Sequence, residues 1–295
     1  MGLSIGINPI TWTNDDMPEL GGDIPLETCL AEARLAGYLG MELGNKFPRR
    51  AAELKPILDR HGLKLVSGWY SAHLLERSVA DEIAAIEDHL TLLAAMGCGV
   101  MVFAEGSGAE EGRRDVPLSR RPVLPAGDWT RYGEAVTAVA RHTAARGVQV
   151  AFHHHMGTIV ETEAELDRLM QVTGPEVGLL LDTGHLRFAG GDPLAVARRH
   201  GARIVHVHCK DVRAPVLERA RRRDSSFCDA VLDGVFTVPG DGAIDFAPIV
   251  GVVKEHGYRG WLVVEAEQDP AKANPLTYAR MGFANLSLIC AAAGL

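Results

Sequence analysis

The sequence predicts an α/β protein built as a single (β/α)₈ barrel over residues 1–295, and three observations carry that expectation. Eight short, β-rich apolar runs alternate with longer stretches of helical period. Six of those helical stretches end in a glycine just before the next run. The late apolar runs stop abruptly at His, Asp or Glu. Alternating strands and helices imply parallel strands with crossover helices, and eight such units fit a closed barrel better than an open doubly wound sheet. No linker rich in Pro, Gly or Ser divides the chain.

The first strand is expected at Leu3–Ile10, followed by an amphipathic helix over Pro25–Ala36. Gly40–Leu43 and Leu63–Trp69 form the next strands, with helices over Arg49–His61 and Val79–Met96. Val100–Ala104 leads to Trp129–Arg146, and Val148–His153 to Thr162–Val172. Val177–Leu181 precedes a helix over Pro193–His200, Ile204–His208 one over Asp245–His256, and Trp261–Glu265 the last over Pro275–Ala292. Gly37, Gly62, Gly97, Gly147, Gly201 and Gly257 stand where a left-handed residue closes a helix. Two connections, 105–128 and 212–243, are long for loops at the C-terminal face, where lids, surface insertions and subunit contacts all occur.

Composition narrows the function. With 47% hydrophobic and 23% charged residues the chain buries a sizeable core, which excludes a disordered or stapled mini-protein. A formal charge of −8 provides no general field for phosphate backbones or anionic membranes, so neither nucleic acid nor membrane is an expected partner. The basic run Arg219–Arg223 sits between Glu218 and Asp224 and reads as a solvated loop. Five cysteines form no C-x-x-C pair and fit a reducing cytoplasm. The N-terminal residues lack a basic, apolar leader pattern, and no apolar stretch has membrane-spanning length. Neither a dinucleotide fingerprint nor a Walker A motif is present, so nucleotide cofactors have no support.

The chemistry lies at the strand ends. The fifth strand ends in His153-His154-His155, the sixth in Asp182-Thr-Gly-His185, the seventh in His206-Val-His208-Cys-Lys210 and the eighth in Glu265. A carboxylate buried after Leu-Leu-Leu or Val-Val is costly unless paired or bound to a cation, and one divalent metal would satisfy both Asp182 and Glu265. Imidazole and carboxylate ligands without thiolate suit Mn²⁺, Co²⁺, Fe²⁺ or Zn²⁺. Strand alternation puts His153 and His155 on one face and His154 on the other. His206 lies one layer deeper than His208, which makes His208 the better ligand. Glu42, between Met41 and Leu43, reads as part of a buried polar layer inside the barrel.

The succession Asp182-Thr-Gly-His185, His208-Cys-Lys210-Asp211, Pro239-Gly-Asp-Gly-Ala-Ile-Asp245 and Glu265 resembles the xylose isomerase-like TIM-barrel superfamily across essentially the whole chain. Within it, Gly6–Trp12, Gly40–Pro48 and His153–Thr158 look like the inosose dehydratases. The resemblance implies a metal held by the ends of strands five to eight, with Asp182, His208 and Glu265 at three of the four positions. His153 stands where a Glu is usual, which removes a carboxylate that isomerases of the superfamily use as a base. Mn²⁺ or Co²⁺ are the foremost metals, with Zn²⁺, Fe²⁺ and Mg²⁺ compatible, and the resemblance also associates glutathione with the activity.

The implied reaction is elimination of water from a polyol ketone, 2-keto-myo-inositol, with a sugar or keto-acid isomerase or epimerase as the alternative. His185 and Lys210 match substrate-contacting positions. Lys210 is expected to remove the proton beside the ketone and His185 to protonate the departing hydroxyl, or the reverse; the alternatives are Glu265 as base as well as ligand and Lys210 as a cation that only neutralises the enediolate. Asn8, Trp12, Lys46, Trp69, Tyr70 and His155 are candidates for holding the polyol ring by hydrogen bonds and stacking, with Trp12 and Lys46 the foremost pair. A homo-oligomer is compatible with the sequence.

Overall fold

A computed structural model describes residues 3–110 and 112–295; Met1 and Gly2 of the N-terminal segment and Glu111 of the first long connection lie outside the described residues. The strands are β1 (Ser4–Ile7), β2 (Gly40–Leu43), β3 (Lys64–Ala72), β4 (Val100–Glu105), β5 (Gln149–His153), β6 (Val177–Asp182), β7 (Ile204–Cys209), β8 (Asp211–Val212), β9 (Phe236–Thr237) and β10 (Trp261–Val264). The helices are α1 (Leu26–Ala36), α2 (Ala51–His61), α3 (Val79–Ala95), α4 (Trp129–Ala145), α5 (Glu163–Val172), α6 (Thr183–Phe188), α7 (Pro193–His200), α8 (Ala214–Arg223), α9 (Phe227–Leu232), α10 (Phe246–Glu255) and α11 (Pro275–Ala292). Eight of the strands close a parallel barrel in the order β1-β10-β7-β6-β5-β4-β3-β2. The two-residue β8 and β9 pair as a separate antiparallel ribbon.

Alternation divides each strand between two environments. Outward side chains such as Met101, Phe103, Val150, Phe152, Leu179 and Leu181 pack with Leu30, Leu54, Ile86, Val136 and Leu166 from the surrounding helices in one large buried cluster. Inward, Val102, Ala151 and Leu180 form a small separate cluster. The barrel is too narrow there for more: a Cβ on Gly40 would lie 2.6 Å from Val66 and 2.9 Å from Trp261. Above that layer the inward residues turn polar, and the site begins.

Local chemistry accounts for the differences from expectation. The first strand stops at Ile7 because Pro9 has no N–H for a ladder; Asn8 caps a one-turn 3₁₀ helix, Pro9–Thr11, through its side-chain oxygen. Gly37, Gly62, Gly97, Gly147 and Gly257 have positive φ as expected of helix ends, but Gly201 does not. It enters a 3₁₀ turn, and it is glycine because a Cβ there would meet the His256 ring at 2.2 Å. The connection 212–243 carries α8, α9 and half of the ribbon rather than open loop. The basic run is the C-terminal end of α8, closed by Asp224 at φ 48°, not a loop, and Arg221 donates to the carbonyls of Arg187 and Phe188. Among the described residues, no helix is long and apolar enough to cross a membrane.

Candidate active site

Four residues on neighbouring strands converge at the C-terminal mouth of the barrel. His153 ends β5, Asp182 ends β6, His208 lies in β7 and Glu265 follows β10 by one residue. The register sets Asp182 beside His208, and all four are buried. One donor atom from each falls within 4.8 Å of the others. His208 Nδ1 is 2.5 Å from Glu265 Oε2 and 3.5 Å from Asp182 Oδ2; His153 Nε2 is 3.6 Å from that same Asp182 oxygen.

The outer atoms of these residues are tied down. His153 Nδ1 donates to the His154 carbonyl at 2.6 Å, Asp182 Oδ1 accepts the His185 N–H at 2.7 Å, and His208 Nε2 donates to Glu42 at 3.1 Å. The inner atoms His153 Nε2 and Asp182 Oδ2 are buried without a hydrogen-bond partner, and His208 Nδ1 faces the same point beside Glu265. Buried polar atoms are rarely left so, and oriented imidazoles and carboxylates with unshared lone pairs facing one point are the donor set of a divalent cation. The residues present therefore fit a metal.

Charge keeps the set ionised. Burial opposes the Asp182 charge, yet the Lys210 cation and the contacts from His153 and His208 hold its carboxyl well below the usual range. Glu265 is likewise buried and held low by His208 and Lys210. Burial disfavours a charged His208, but Glu265, Glu42 and Asp182 more than offset it and raise its pKa well above the ordinary imidazole value. His154 is not part of this set. Its Nε2 accepts the Asp182 N–H at 3.3 Å, and burial, then His153, push its pKa down to about 3.

A second constellation adjoins the first. Lys210, fully buried, directs its ammonium to Glu265 at 2.8 Å, Glu267 at 2.5 Å and His185 Nε2 at 2.7 Å. Burial favours a neutral amine, but Glu265, Glu267 and Asp182 more than offset it and raise the Lys210 pKa above the ordinary lysine value, which favours the ammonium. Burial and then Lys210 hold His185 neutral. The glycine of Asp182-Thr-Gly-His185 is explained here, because a Cβ on Gly184 would lie 2.5 Å from Lys210 Cγ.

A cavity of about 260 Å³ opens onto this cluster, lined in part by Asn8, Trp69, His155, His208, Glu265 and Glu267. Asn8 donates to Glu42 at 2.7 Å and Glu265 at 3.3 Å; Trp69 packs T-shaped with His153 and His155; the His155 ring centroid lies 3.8 Å from that of His185. Trp12 and Lys46 are not brought to it. The Trp12 indole is buried and donates to Glu32 at 2.6 Å, and the Lys46 ammonium is spent on the carbonyls of Gly21, Gly22 and Ile24. Sequence reasoning missed Glu267, whose Oε2 is buried without a partner, and Asp15 and Asp16 at the rim. The spacing Glu265-x-Glu267, which returns to one face every second residue, was the available signal for the first; the loop acids had none.

A parallel eight-stranded barrel with acids, imidazoles and a lysine gathered at the C-terminal strand ends defines a barrel enzyme. The chain belongs to the xylose isomerase-like TIM barrel family, which residues 30–286 match. It is 59% identical over 295 residues, all of this chain and 90% of the other, to the rhizopine catabolism protein MocC of Rhizobium meliloti. It is 46% identical over 279 residues, 94% of each chain, to the inosose dehydratase of Geobacillus thermodenitrificans. Among solved structures, the IolI protein with a bound zinc atom superposes with a TM-score of 0.66 at 17% identity, covering 97% of this chain and 98% of that one, a likeness of fold.

Proposed function

We infer that the protein is a hydro-lyase that eliminates water from an inosose, 2-keto-myo-inositol, to give a cyclohexane-1,2-dione in inositol catabolism. The dehydratase relatives support the reaction, and one observation carries its assignment to these residues: Glu265 belongs to both constellations, facing His208 on one side and the Lys210 ammonium on the other. His153, Asp182, His208 and Glu265 would hold a divalent metal. Bound there, such an ion acts as a Lewis acid that polarises the ketone and acidifies the adjacent C–H.

The chain's own groups supply the proton chemistry. Glu267 presents an unpartnered oxygen and lines the cavity, which makes it the base for the proton beside the ketone. Lys210, already charged, compensates the negative charge that develops on the substrate. His185, 2.7 Å from Lys210 and 3.4 Å from Glu267, lies where a proton can be passed between them towards the departing hydroxyl. Atoms balance: one C–H and one C–OH bond break, and water leaves. Asn8 and His155 meet ring hydroxyls, and the half-exposed Trp69 offers an apolar face. With His153 an imidazole, the cluster lacks the extra carboxylate that reversible proton transfer between two carbons would use.

The test is incubation of purified protein, with Mn²⁺ or Co²⁺, with 2-keto-myo-inositol, followed by ultraviolet absorbance of the conjugated dione. An isomeric ketone without that chromophore would transfer the assignment to an isomerase.

A further inference from the structure

We propose that Glu42 is a positioning residue that fixes the tautomer and orientation of His208, so that the Nδ1 lone pair faces the metal donors. The inference rests on the metal site proposed above. Glu42 lies on β2, across the barrel from β7, and its carboxylate is buried. It accepts four side-chain hydrogen bonds: from Asn8 at 2.7 Å, Ser67 at 2.5 Å, His206 Nε2 at 2.8 Å and His208 Nε2 at 3.1 Å.

Three of these donors, Ser67, His206 and His208, converge on Oε1 and Asn8 takes Oε2, so the oxygen that faces the imidazoles is already crowded and has little capacity left to hold an ion itself. What it does to His208 follows from tautomer chemistry. A neutral imidazole carries one proton; if Glu42 accepts it from Nε2, Nδ1 must be the lone-pair nitrogen. Nδ1 is the atom that faces Glu265 at 2.5 Å and Asp182 at 3.5 Å, two of the other metal donors. A carboxylate behind a ligating imidazole also makes the ligand more basic.

The same anion anchors the neighbours. Ser67 and His206 pin Glu42 from β3 and β7, and Asn8 bridges it to Glu265, so one carboxylate braces two of the four donors. His206 is buried, and its Nε2 is committed to Glu42. It therefore belongs to this brace and not to the metal set.

The experiment is Co²⁺ binding to the purified protein and its Glu42→Gln and Ser67→Ala variants, read by the visible d–d spectrum and by competition with a chromophoric chelator. Glu42→Gln keeps the volume but supplies an amide that cannot accept from all four donors. It should weaken Co²⁺ binding by roughly 10- to 100-fold, the usual scale for losing such a support, with one ion still bound at saturation and a shifted d–d envelope. Ser67→Ala, which keeps the carboxylate, should weaken it less and guards against a Glu42→Gln variant that fails to fold. Equal affinity and an unchanged spectrum in both variants overturn the inference. Complete loss of the ion from a folded Glu42→Gln also overturns it, because Glu42 would then be a ligand. Absence of Co²⁺ binding in the unaltered protein would instead overturn the metal site itself.

Discussion

Replacing Lys210 by Met tests the site where its two constellations meet. The side chain is fully buried, its stem runs against Gly184 and its ammonium lies 4.5 Å above the Phe236 ring. Methionine retains most of that packing and deletes the charge, leaving the Glu267 carboxylate, 2.5 Å from the ammonium in the intact protein, buried with no cation beside it. Removing one member of a buried ion pair costs about 3–5 kcal/mol, because the survivor remains desolvated and unpaired. The raised Lys210 pKa means its contribution is present at all pH values below the ordinary lysine range and would be lost only as pH rises through the still higher folded value. In the variant an orphaned carboxylate takes up a proton instead, so the stability deficit should narrow as the pH falls. Turnover should drop by about 10²-fold or more, the scale of a lost acid–base group, with the metal retained because a repelling charge has been removed. Urea unfolding at pH 5 and pH 8, metal content and dione formation measure these three effects. A deficit below about 1 kcal/mol with normal turnover would refute the reasoning, since that is the worth of a mere surface pair.

Asp182→Ala and Glu265→Ala should each strip the metal and abolish dione formation while the circular dichroism of the barrel persists; full metal content in both would displace the site. Gly184→Ala touches no reacting group, yet its Cβ would collide with the Lys210 stem, so turnover should fall together with about 1–3 kcal/mol of stability from overpacking; wild-type kinetics would show that Lys210 can move freely. Trp12→Phe and Lys46→Met should leave KM within about 2-fold and lower stability by about 1 kcal/mol per lost hydrogen bond, since both groups serve the loop and not the cavity; a large KM increase would restore them to the substrate. In the metal-free protein His208 is held protonated, a contribution present below the ordinary histidine range and lost as pH rises through its raised folded pKa. A divalent ion must displace that proton, so calorimetry in two buffers of different ionisation enthalpy should show proton release on binding and affinity rising with pH; identical heats in both buffers would count against His208 as ligand.

Most of this architecture is local in origin and was legible in the chain. Period two against period 3.6 sets strand and helix, and the point at which Leu-Leu-Leu meets Asp182, or Val-Val meets Glu265, marks the polar end of a barrel strand. Such patterns say which side chains face the mouth, because alternation is a property of a single strand. They do not say what each side chain meets. Glu42 reaches His208 across 166 residues of sequence, and Lys210 reaches Glu267 across 57, through barrel closure alone. The raised pKa of Lys210 depends on the two carboxylates that folding sets beside it, and the retreat of Trp12 and Lys46 from the cavity depends on Glu32 and three loop carbonyls that no motif announces. The sequence determined the barrel and the face on which chemistry sits, since both follow from short-range periodicity. The tertiary structure decided protonation, pairing and which residues support rather than bind, since those are energies between groups that only folding brings within a few ångströms.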